Sequence, residues 1–320
     1  MKAIGIVILN WNRYDLTIRC IESVLGSTYS SFRIFIVDNG STDDSVERLR
    51  ESIPRAEVIC NKTNLGFATG TNQGMRLAFK MGCDSVLILN NDTIVDPLMI
   101  ESLLDCVSSE KGNAVASPRM FLDGPDTLWF THGVASLRTG VFSNPAHGRK
   151  YGPGFDRPLQ MDWGSGCCLL IPRKVYDIVG GFDDRFFAYC EDIDWTLRCR
   201  EHGFRLLYCP TAKLWHWAGT AAKHKPVFYR YLSTRNHLWV MRKHVTGVTF
   251  LCFCLIFPAR VGFRLSKLVL SGSWSGIGAE LRGVWDGFTV CLDDTQQKGY
   301  LERTSSNVAA QKHTTWGGRR

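Results

Sequence analysis

The chain has 320 residues, 45% of them hydrophobic, which is enough to build one large core or two fused lobes. Its 12 cysteines form no C-x-x-C pair, so a zinc cage or a thioredoxin-like motif is not expected, and most are predicted to be reduced core residues in the cytosol. The net charge of +8 is concentrated in one region, because no Asp or Glu occurs between His202 and Ala279, whereas Lys and Arg occur eleven times there.

The first 120 residues alternate between strand and helix patterns. The opening AIGIVILN is followed by no small-residue cleavage site, so it is predicted to be a strand and not a signal peptide. A helix is predicted from residue 15, then strands at FRIFIVD and AEVICN, a helix from Gly66 and a strand at SVLILN. Ser41, with Asp44 three residues later, is predicted to cap a helix. The alternation predicts an α/β protein with a parallel, doubly wound sheet.

Polar clusters follow these strands: NWN at 10–12, DNGSTD at 38–43, NKTNLGFATGTNQG at 61–74 and NND at 90–92. Because ligands bind beyond the carboxyl ends of such strands, the clusters predict a site along one rim of the sheet. Neither G-x-G-x-x-G after the first strand nor a P-loop motif occurs, which disfavours dinucleotide and P-loop sites. The NND cluster suits a hard divalent cation that bridges a diphosphate, although ordinary turn chemistry also explains it.

The basic region contains an uncharged apolar run, residues 245–259. A bilayer span needs roughly 20 apolar residues, and Pro258 is predicted to interrupt this run. The run is therefore predicted to lie in the membrane interface, held by apolar burial and by attraction of its basic neighbours to anionic lipid. These neighbours include Arg242, Lys243, Arg260 and Arg264. The alternative is a buried core helix whose basic neighbours face water, while nucleic acid is disfavoured because no recognition motif accompanies the charge.

Six segments occur in the order found in family 2 glycosyltransferases: VILNWNRYDLTIRCIESVL, IVDNGSTDDS, NLGFATGTNQG, LILNNDT, GSGCCLLIPRKVYDIVGGFDDRFFAYCEDIDWTLR and HWAGT. The chain resembles this family over about residues 1–245, and most resembles the bacterial rhamnosyl- and galactofuranosyl-transferases of cell-surface polysaccharides. The resemblance implies a GT-A fold: an α/β, mostly parallel doubly wound sheet with fused nucleotide-binding and acceptor halves, plus a C-terminal helical extension.

The division that follows has four parts. Residues 1–120 form the nucleotide-sugar half, and residues 121–222 form the acceptor-binding and catalytic half. Residues 223–292 form a basic, amphipathic, membrane-associating helical region. Residues 293–320 lack apolar periodicity and are predicted to be a flexible tail.

The resemblance also implies the donor and metal residues. Asp92 corresponds to the carboxylate of the family's D-x-D motif and would ligate Mn²⁺ or Mg²⁺ together with His216, in a weak site that the substrate completes. Asn91 would contact the ribose or the metal shell. The remaining predicted donor residues are Asn10, Asn12, Asp38, Asn39, Asn64, Gly66, Gly70 and Asn72. The glycines permit close backbone approach, although tight helix–sheet packing explains a single glycine equally well.

The catalytic residues are implied in the same way. Inverting transfer needs a general base, and Asp192 of the E-D motif is the predicted one, with Glu191 and Asp194 as alternatives. The competing explanation is that these acids complement a helix dipole. The predicted acceptor-binding loop comprises Trp163, Gly164, Ser165 and Gly166, and Trp163 is either a sugar platform or a buried core residue.

The predicted function is inverting, metal-dependent transfer of a sugar, best matched to rhamnose from dTDP-rhamnose, onto a hydroxyl of a lipid-linked saccharide at the cytoplasmic face of the membrane. UDP-hexose and UDP-galactofuranose remain alternative donors. A nucleotidyltransferase would need a basic Gly-rich start that is absent here, and a processive synthase would need several long spans. A non-catalytic carbohydrate-binding relative would be expected to lack Asp92 or Asp192, and both are present.

Overall fold

A computed structural model describes residues 2–122, 124, 126–217 and 227–290. The predicted flexible tail at 293–320 and the predicted boundary between residues 222 and 223 lie outside the described residues. Every cysteine that the structure describes is a free thiol.

The first half of the chain alternates as its sequence predicts. Apolar runs form the buried strands, and the amphipathic segments between them form helices. The elements are β1 (Ile4–Asn10), α1 (Tyr14–Leu25), β2 (Phe32–Asp38), α2 (Ser45–Ser52), β3 (Glu57–Cys60), α3 (Gly66–Lys80), β4 (Ser85–Asn90), β5 (Thr93–Val95) and α4 (Met99–Ser109). The predicted cap at Ser41 is wrong, because α2 begins after Asp44 and has no side-chain cap.

The second half adds strands and then helices. Its strands are β6 (Ala114–Phe121), β7 (Leu128–Phe130), β8 (Val134–Ser136), β9 (Val141–Ser143), β10 (Leu159–Gln160), β11 (Cys168–Pro172) and, after two helices, β12 (Arg205–His216). Its helices are α5 (Arg173–Val179), α6 (Glu191–Glu201), α7 (Val227–His244), α8 (Gly247–Leu270) and α9 (Trp274–Thr289).

One sheet joins the two halves, in the order β10-β12-β6-β11-β4-β1-β2-β3. Strands β3, β2, β1 and β4 are parallel, β12 is parallel to β6, and β11 runs antiparallel between β4 and β6. The predicted mostly parallel α/β sheet of a GT-A fold is confirmed. Asn10 pairs with Asp38 and Leu9 pairs with Asn90, so the polar ends of β1, β2 and β4 meet at one rim.

Helix α3 packs against β1 through its glycines. A Cβ on Gly70 would lie 2.5 Å from Leu9 Cδ1, and one on Gly74 would lie 2.4 Å from Val7 Cγ1. Close helix–sheet packing therefore explains Gly70, which the sequence left open between packing and donor binding.

Helix α8 continues through Pro258, so the predicted interruption at this proline is wrong. Phe253, Phe257, Val261 and Leu268 form its inner, buried stripe. Its outer stripe is also apolar: Leu251, Leu255 and Leu270 are 63%, 81% and 87% exposed. Among the described residues, α8 is the one helix long and apolar enough to cross a membrane, and only 17% of its most apolar stretch is buried. The alternative of a buried core helix therefore does not hold.

The basic residues beside α8 do not all face outward as predicted. Four of them contact the protein itself. Arg242 donates to Gly287 O, Lys243 binds Asp183, Arg260 donates to Gly140 O, and Arg264 binds Glu280 at 2.7 Å. The outward surface of the C-terminal helices is therefore more apolar and less basic than the sequence suggests.

Candidate functional site

A chain of buried hydrogen bonds links three strand ends at the rim. Asn10 donates to Asp38 Oδ2 at 2.8 Å, and Thr17 donates to Asn10 Oδ1 at 2.7 Å. Asn91 in turn donates to Thr17 Oγ1 at 2.9 Å. Asn10 and Asp38 are 0% and 1% exposed, so they support the wall of the site, while Asn91 is half-buried at its edge.

Ser41 and Asn12 connect two neighbouring loops. The Ser41 hydroxyl donates to Asp38 and accepts from the Asn12 backbone N–H at 2.8 Å. Asn12 Oδ1 accepts from the Thr42 N–H at 2.7 Å. Ser41 thus belongs to the site and not to a helix cap, because its hydroxyl is already engaged here.

Asn39 joins the second strand end to the start of α3. It donates to Asn64 Oδ1 at 2.9 Å and to Gly66 O at 3.0 Å. Gly66 has φ +86°, and a Cβ there would lie 2.5 Å from Phe187 O. Asn39, Asn64 and Gly66 therefore shape one loop, and their role in donor binding stays a prediction.

Asn72 departs from its predicted role in donor binding. Its amide donates to Phe182 O at 2.8 Å and to Asp184 Oδ1 at 2.6 Å, and its oxygen accepts from the Phe182 N–H at 2.8 Å. The side chain is 3% exposed and its hydrogen bonds are made within the protein, so it fastens the segment before α6 to α3.

The two predicted metal residues lie side by side. His216, at the end of β12, places Nε2 3.2 Å from Asp92 Oδ1. Asp92 Oδ1 and His216 Nδ1 are both buried without a hydrogen-bond partner. One carboxylate and one imidazole fit a divalent cation whose remaining ligands come from a substrate. No cluster of three ligating side chains occurs among the described residues.

Glu191, which is buried, and Asp192, which is half-buried, form a carboxyl pair at the start of α6. Asp192 accepts from the Gly166 N–H at 2.9 Å and from the Ile193 N–H at 2.8 Å. Burial raises the pKa of Asp192, although these backbone donors partly offset it. Burial, with the charge of Asp192 added, raises the pKa of Glu191 well above its usual value. Glu191 Oε2 has no hydrogen-bond partner, so ionising both carboxyl groups at once is unfavourable, and carboxyl groups with pKa values raised in this way are typical of functional sites.

The metal pair and the carboxyl pair flank the same segment. The Asn90 N–H donates to Cys167 O at 2.9 Å, next to the Gly166 N–H that binds Asp192. The pKa of Cys167 is raised well above its usual value, first by burial and then by nearby negative charges that include Asp92 and Asp192. Cys167 therefore lies between the segment that carries Asp92 and the backbone donor to Asp192.

Asp194 does not share this environment. It is 0% exposed and binds Arg198 at 3.0 Å, Lys243 at 2.9 Å and His244 at 2.9 Å. Burial acts to raise its pKa, but these partners, His244 foremost, lower it below the usual value. A carboxylate so fully compensated is a poor proton acceptor, and this geometry argues against Asp194 as the base.

The predicted acceptor loop crosses the floor of the site. Gly166 carries the backbone donor to Asp192, and a Cβ on it would lie 3.3 Å from Asp192 Cβ and from Phe67. Ser165 is buried and bonded within the loop, and a Cβ on Gly164 would meet Leu169 at 3.0 Å. Trp163 is half-buried against Gly133, and its Nε1 has no hydrogen-bond partner.

Three residues at the site were not predicted from the sequence. The ring of Trp129 lies 4.3 Å from that of His216, and the Arg19 guanidinium lies 4.3 Å from the ring of Trp217. Thr17 completes the hydrogen-bond chain between Asn10 and Asn91. The three residues, Thr17 and Arg19 of α1 and Trp129 of β7, carry no local signal, because packing alone explains the helix and strand patterns in which they lie.

The fold and these side chains define a class of α/β transferase with its ligand site at the carboxyl rim of the sheet. Residues 5–179 match the family model of glycosyl transferase family 2, which is more than half of the chain. The chain therefore belongs to glycosyl transferase family 2 and is a glycosyltransferase.

Two curated relatives of modest identity are named as rhamnosyltransferases. An N-acetylglucosaminyl-diphospho-decaprenol L-rhamnosyltransferase of Mycobacterium tuberculosis is 27% identical over 252 residues, 69% of this chain and 81% of that one. The dTDP-rhamnosyl transferase RfbF of Shigella flexneri is 23% identical over 220 residues, 66% of this chain and 71% of that one.

A solved structure supports the fold. GalNAc-T7, crystallised with UDP, GalNAc and Mn²⁺, has a TM-score of 0.58 and 16% identity, and the match covers 76% of this chain and 48% of that one. At this identity the likeness concerns the fold alone.

Proposed function

We propose that this protein is an inverting, metal-dependent glycosyltransferase that moves rhamnose from dTDP-rhamnose to a hydroxyl of a lipid-linked saccharide in cell-surface polysaccharide synthesis. The observation that carries the proposal is the pairing of Asp92 with His216, together with the hydrogen-bonded strand ends and the half-buried Asp192. The names of the Mycobacterium and Shigella relatives support the sugar, and the decaprenol in the first name supports a lipid-linked acceptor.

The rim suits a nucleotide donor because its wall is rigid and its edge is polar. Asn10 and Asp38 hold the loops from behind, and half-buried Asn12, Asn64 and Asn91 offer amide groups toward the rim. A diphosphate beside the Asp92 carboxylate would be repelled unless a cation lay between them. Asp92 and His216 would hold that cation, which would supply charge neutralisation of the departing diphosphate. Mn²⁺ and Mg²⁺ are the proposed ions.

Asp192 is the proposed general base. Burial raises its pKa toward the working range of a base, and its two backbone donors hold the carboxylate in place. Glu191, with its buried unpartnered oxygen, remains the alternative. The neighbouring loop around Trp163 would bind the acceptor.

The C-terminal helices are proposed to rest on the cytosolic leaflet, where nucleotide sugars are made. The uncharged part of α8, residues 247–259, is about 20 Å long, which is shorter than the roughly 30 Å hydrocarbon core of a bilayer. Its outer stripe continues onto α9, where Trp274 and Trp285 are 73% and 68% exposed. Such aromatic and aliphatic side chains favour a helix that lies in the interface.

The donor is tested by a screen of purified protein with dTDP-rhamnose, UDP-glucose, UDP-galactose in both ring forms and GDP-sugars, using a lipid-linked saccharide as acceptor. Transfer is expected from dTDP-rhamnose, with inversion at the anomeric carbon read by NMR. Transfer from a UDP-hexose alone would replace the proposed sugar, and retention of configuration would exclude the proposed mechanism.

Metal dependence is tested by chelation. Excess EDTA should abolish transfer, and Mn²⁺ or Mg²⁺ should restore it. Asp92→Ala should abolish transfer and should also remove the gain in dTDP affinity that Mn²⁺ gives in calorimetry. Asp105→Ala, an exposed carboxylate on α4, serves as the matched control and should behave as wild type. Full turnover by Asp92→Ala would exclude this metal site.

The base is tested by Asp192→Asn, with Asp194→Asn as its neighbour control. Asp192→Asn should lower kcat by about 10²–10⁴-fold, the usual contribution of general base catalysis, with donor affinity unchanged. The base must be ionised, and the pKa of Asp192 is raised. On acidification the wild-type rate should therefore begin to fall at a pH above the usual pKa range of an aspartate. Asp194→Asn should instead destabilise the fold by about 3–5 kcal/mol, since it leaves buried cations uncompensated, with kcat of the folded fraction retained.

If Asp192→Asn loses nucleotide binding instead of turnover, the carboxylate belongs to the donor site and Glu191 becomes the base.

Membrane association is tested by sedimentation with vesicles of phosphatidylcholine, with and without phosphatidylglycerol. Wild type should sediment with anionic vesicles, leave them only in part at high salt, and leave them fully in detergent. Replacing Leu251, Leu255 and Phe263 with Ser should abolish sedimentation while transfer to a short soluble acceptor remains, because all three side chains are exposed. The control variant replaces Leu25, Leu98 and Ile178 with Ser, because these apolar side chains are also exposed but lie outside α8. Loss of sedimentation in both variants, or in neither, would contradict the assignment to α8.

A further inference from the structure

The segment that leads into α6 is strained. Phe187, Tyr189 and Cys190 have φ angles of 65°, 71° and 66°, in the left-handed region that L side chains rarely adopt. At Phe187, with ψ −64°, the Ala188 N–H donates to Phe186 O at 2.8 Å and closes a γ-turn of the rare, strained kind. Such backbone persists only where its surroundings fix it.

Helix α7 supplies part of that fixation through one amide. Asn236 Nδ2 lies 2.9, 2.8 and 2.7 Å from the carbonyl oxygens of Phe186, Ala188 and Tyr189. Arg235 Nε donates to Asn236 Oδ1 at 2.8 Å, which turns the NH₂ group toward the segment, and Arg235 Nη2 donates to Phe186 O at 3.0 Å. Both side chains are 0% exposed, so solvent cannot replace these donors.

The remaining carbonyls of the segment are held from other sides. The Ala68 N–H of α3 donates to Phe187 O at 3.1 Å, and the Asp194 N–H donates to Cys190 O at 2.9 Å in the first turn of α6. Every carbonyl from Phe186 to Cys190 therefore has a partner. The start of α6, with its carboxyl pair, is fixed between the loop at Gly66 and the buried face of α7.

We propose that Asn236, oriented by Arg235, is a positioning residue that sets the catalytic carboxyl pair at the correct distance from the donor loop. This inference rests on the proposed function of Asp192 and extends it from α6 to α7, both of which lie outside residues 5–179, the part matched by the family model. Helix α7 is thereby part of the catalytic unit and not only a connection to α8 and α9.

The test compares Asn236→Ala and Asn236→Asp with Leu238→Ala. Leu238 is buried on the same helix and packs with other apolar side chains, so its truncation weakens α7 without removing a hydrogen bond to the segment. Asn236→Ala should lower kcat of the folded fraction about 100-fold, the effect of a misplacement near 1 Å, with dTDP-rhamnose affinity unchanged. Asn236→Asp should be worse, because it turns a carboxylate oxygen toward three carbonyl oxygens.

Amide hydrogen exchange gives a readout that does not need activity. Peptides covering residues 186–192 should exchange faster in Asn236→Ala than in wild type, whereas Leu238→Ala should lower the melting temperature and leave both this exchange and kcat unchanged. If Asn236→Ala fails to fold, Arg235→Lys provides the same comparison. Lys has one donor nitrogen where Arg235 uses two, so it cannot reproduce both hydrogen bonds in the same geometry and should give a smaller change in the same direction.

The possible outcomes distinguish failure of the positioning role of Asn236 from failure of the proposed function on which it rests. Unchanged kcat and unchanged exchange at 186–192 in a folded Asn236 variant, or equal losses in Leu238→Ala, would overturn the positioning role. If wild type transfers no sugar while exchange at 186–192 responds to Asn236→Ala alone, the proposed function fails and the control of the segment by Asn236 stands.

Discussion

The register of three parallel strands is the constraint on which both the core and the site depend. Strand β1 lies between β2 and β4, and pairing Asn10 with Asp38 and Leu9 with Asn90 brings their carboxyl ends to one level. A shift of one residue would turn every buried side chain of β1 to the opposite face. The apolar pairing that buries Ile6 and Ile8 therefore also fixes the polar residues beyond them. Because Asn10 and Asp38 are buried, both must find their hydrogen-bond partners inside the protein, and their bond to each other couples the core to the site.

Helix α6 shows how one turn can hold carboxylates in opposite electrostatic conditions. Asp194 faces Arg198, Lys243 and His244 and is kept ionised, which ties α6 to α7. Asp192, two residues earlier, faces backbone donors and a buried Glu191, with no ion pair to either carboxyl in the described structure. Asp194, which is compensated by cations, anchors the helix. The pair Glu191 and Asp192 has no such compensation, so its protonation responds to the charge of a bound ligand. Pairs of carboxyl groups pushed apart in this way are typical of acid–base sites.

The sequence predicted the first four strands and the polar rim because their signals are local: apolar runs followed by amide and carboxyl side chains. It did not predict partners far apart in the chain. Asn72 binds Asp184, 112 residues later, and Lys243 binds Asp194 from 49 residues away, so neither role has a local pattern.

Two local predictions were wrong, the helix cap at Ser41 and the interruption at Pro258, and their physical causes differ. Ser41 carries a capping signature, but its oxygen accepts from the Asn12 backbone N–H instead of from a helix N–H, while its hydroxyl donates to Asp38. Pro258 removes one backbone donor, but Phe257 and Val261, before and after it, are buried in one apolar cluster with Leu238 and Met241 of α7, which holds α8 in place.

Helix α7 packs against both the segment before α6 and helix α9. Its buried face holds the strained segment before α6, and its other side packs against α9 at near-backbone contact. A Cβ on Gly283 would lie 2.8 Å from Tyr231 O, and one on Gly287 would lie 2.5 Å from Leu238 Cδ1. Contacts this close leave little room for sliding, since interiors are packed without slack. If α8 and α9 rest on lipid, the depth at which they settle fixes the height of Asp192 above the bilayer through a rigid contact and not through a flexible tether. The length of the acceptor that reaches the site is then determined by packing between α7 and α9.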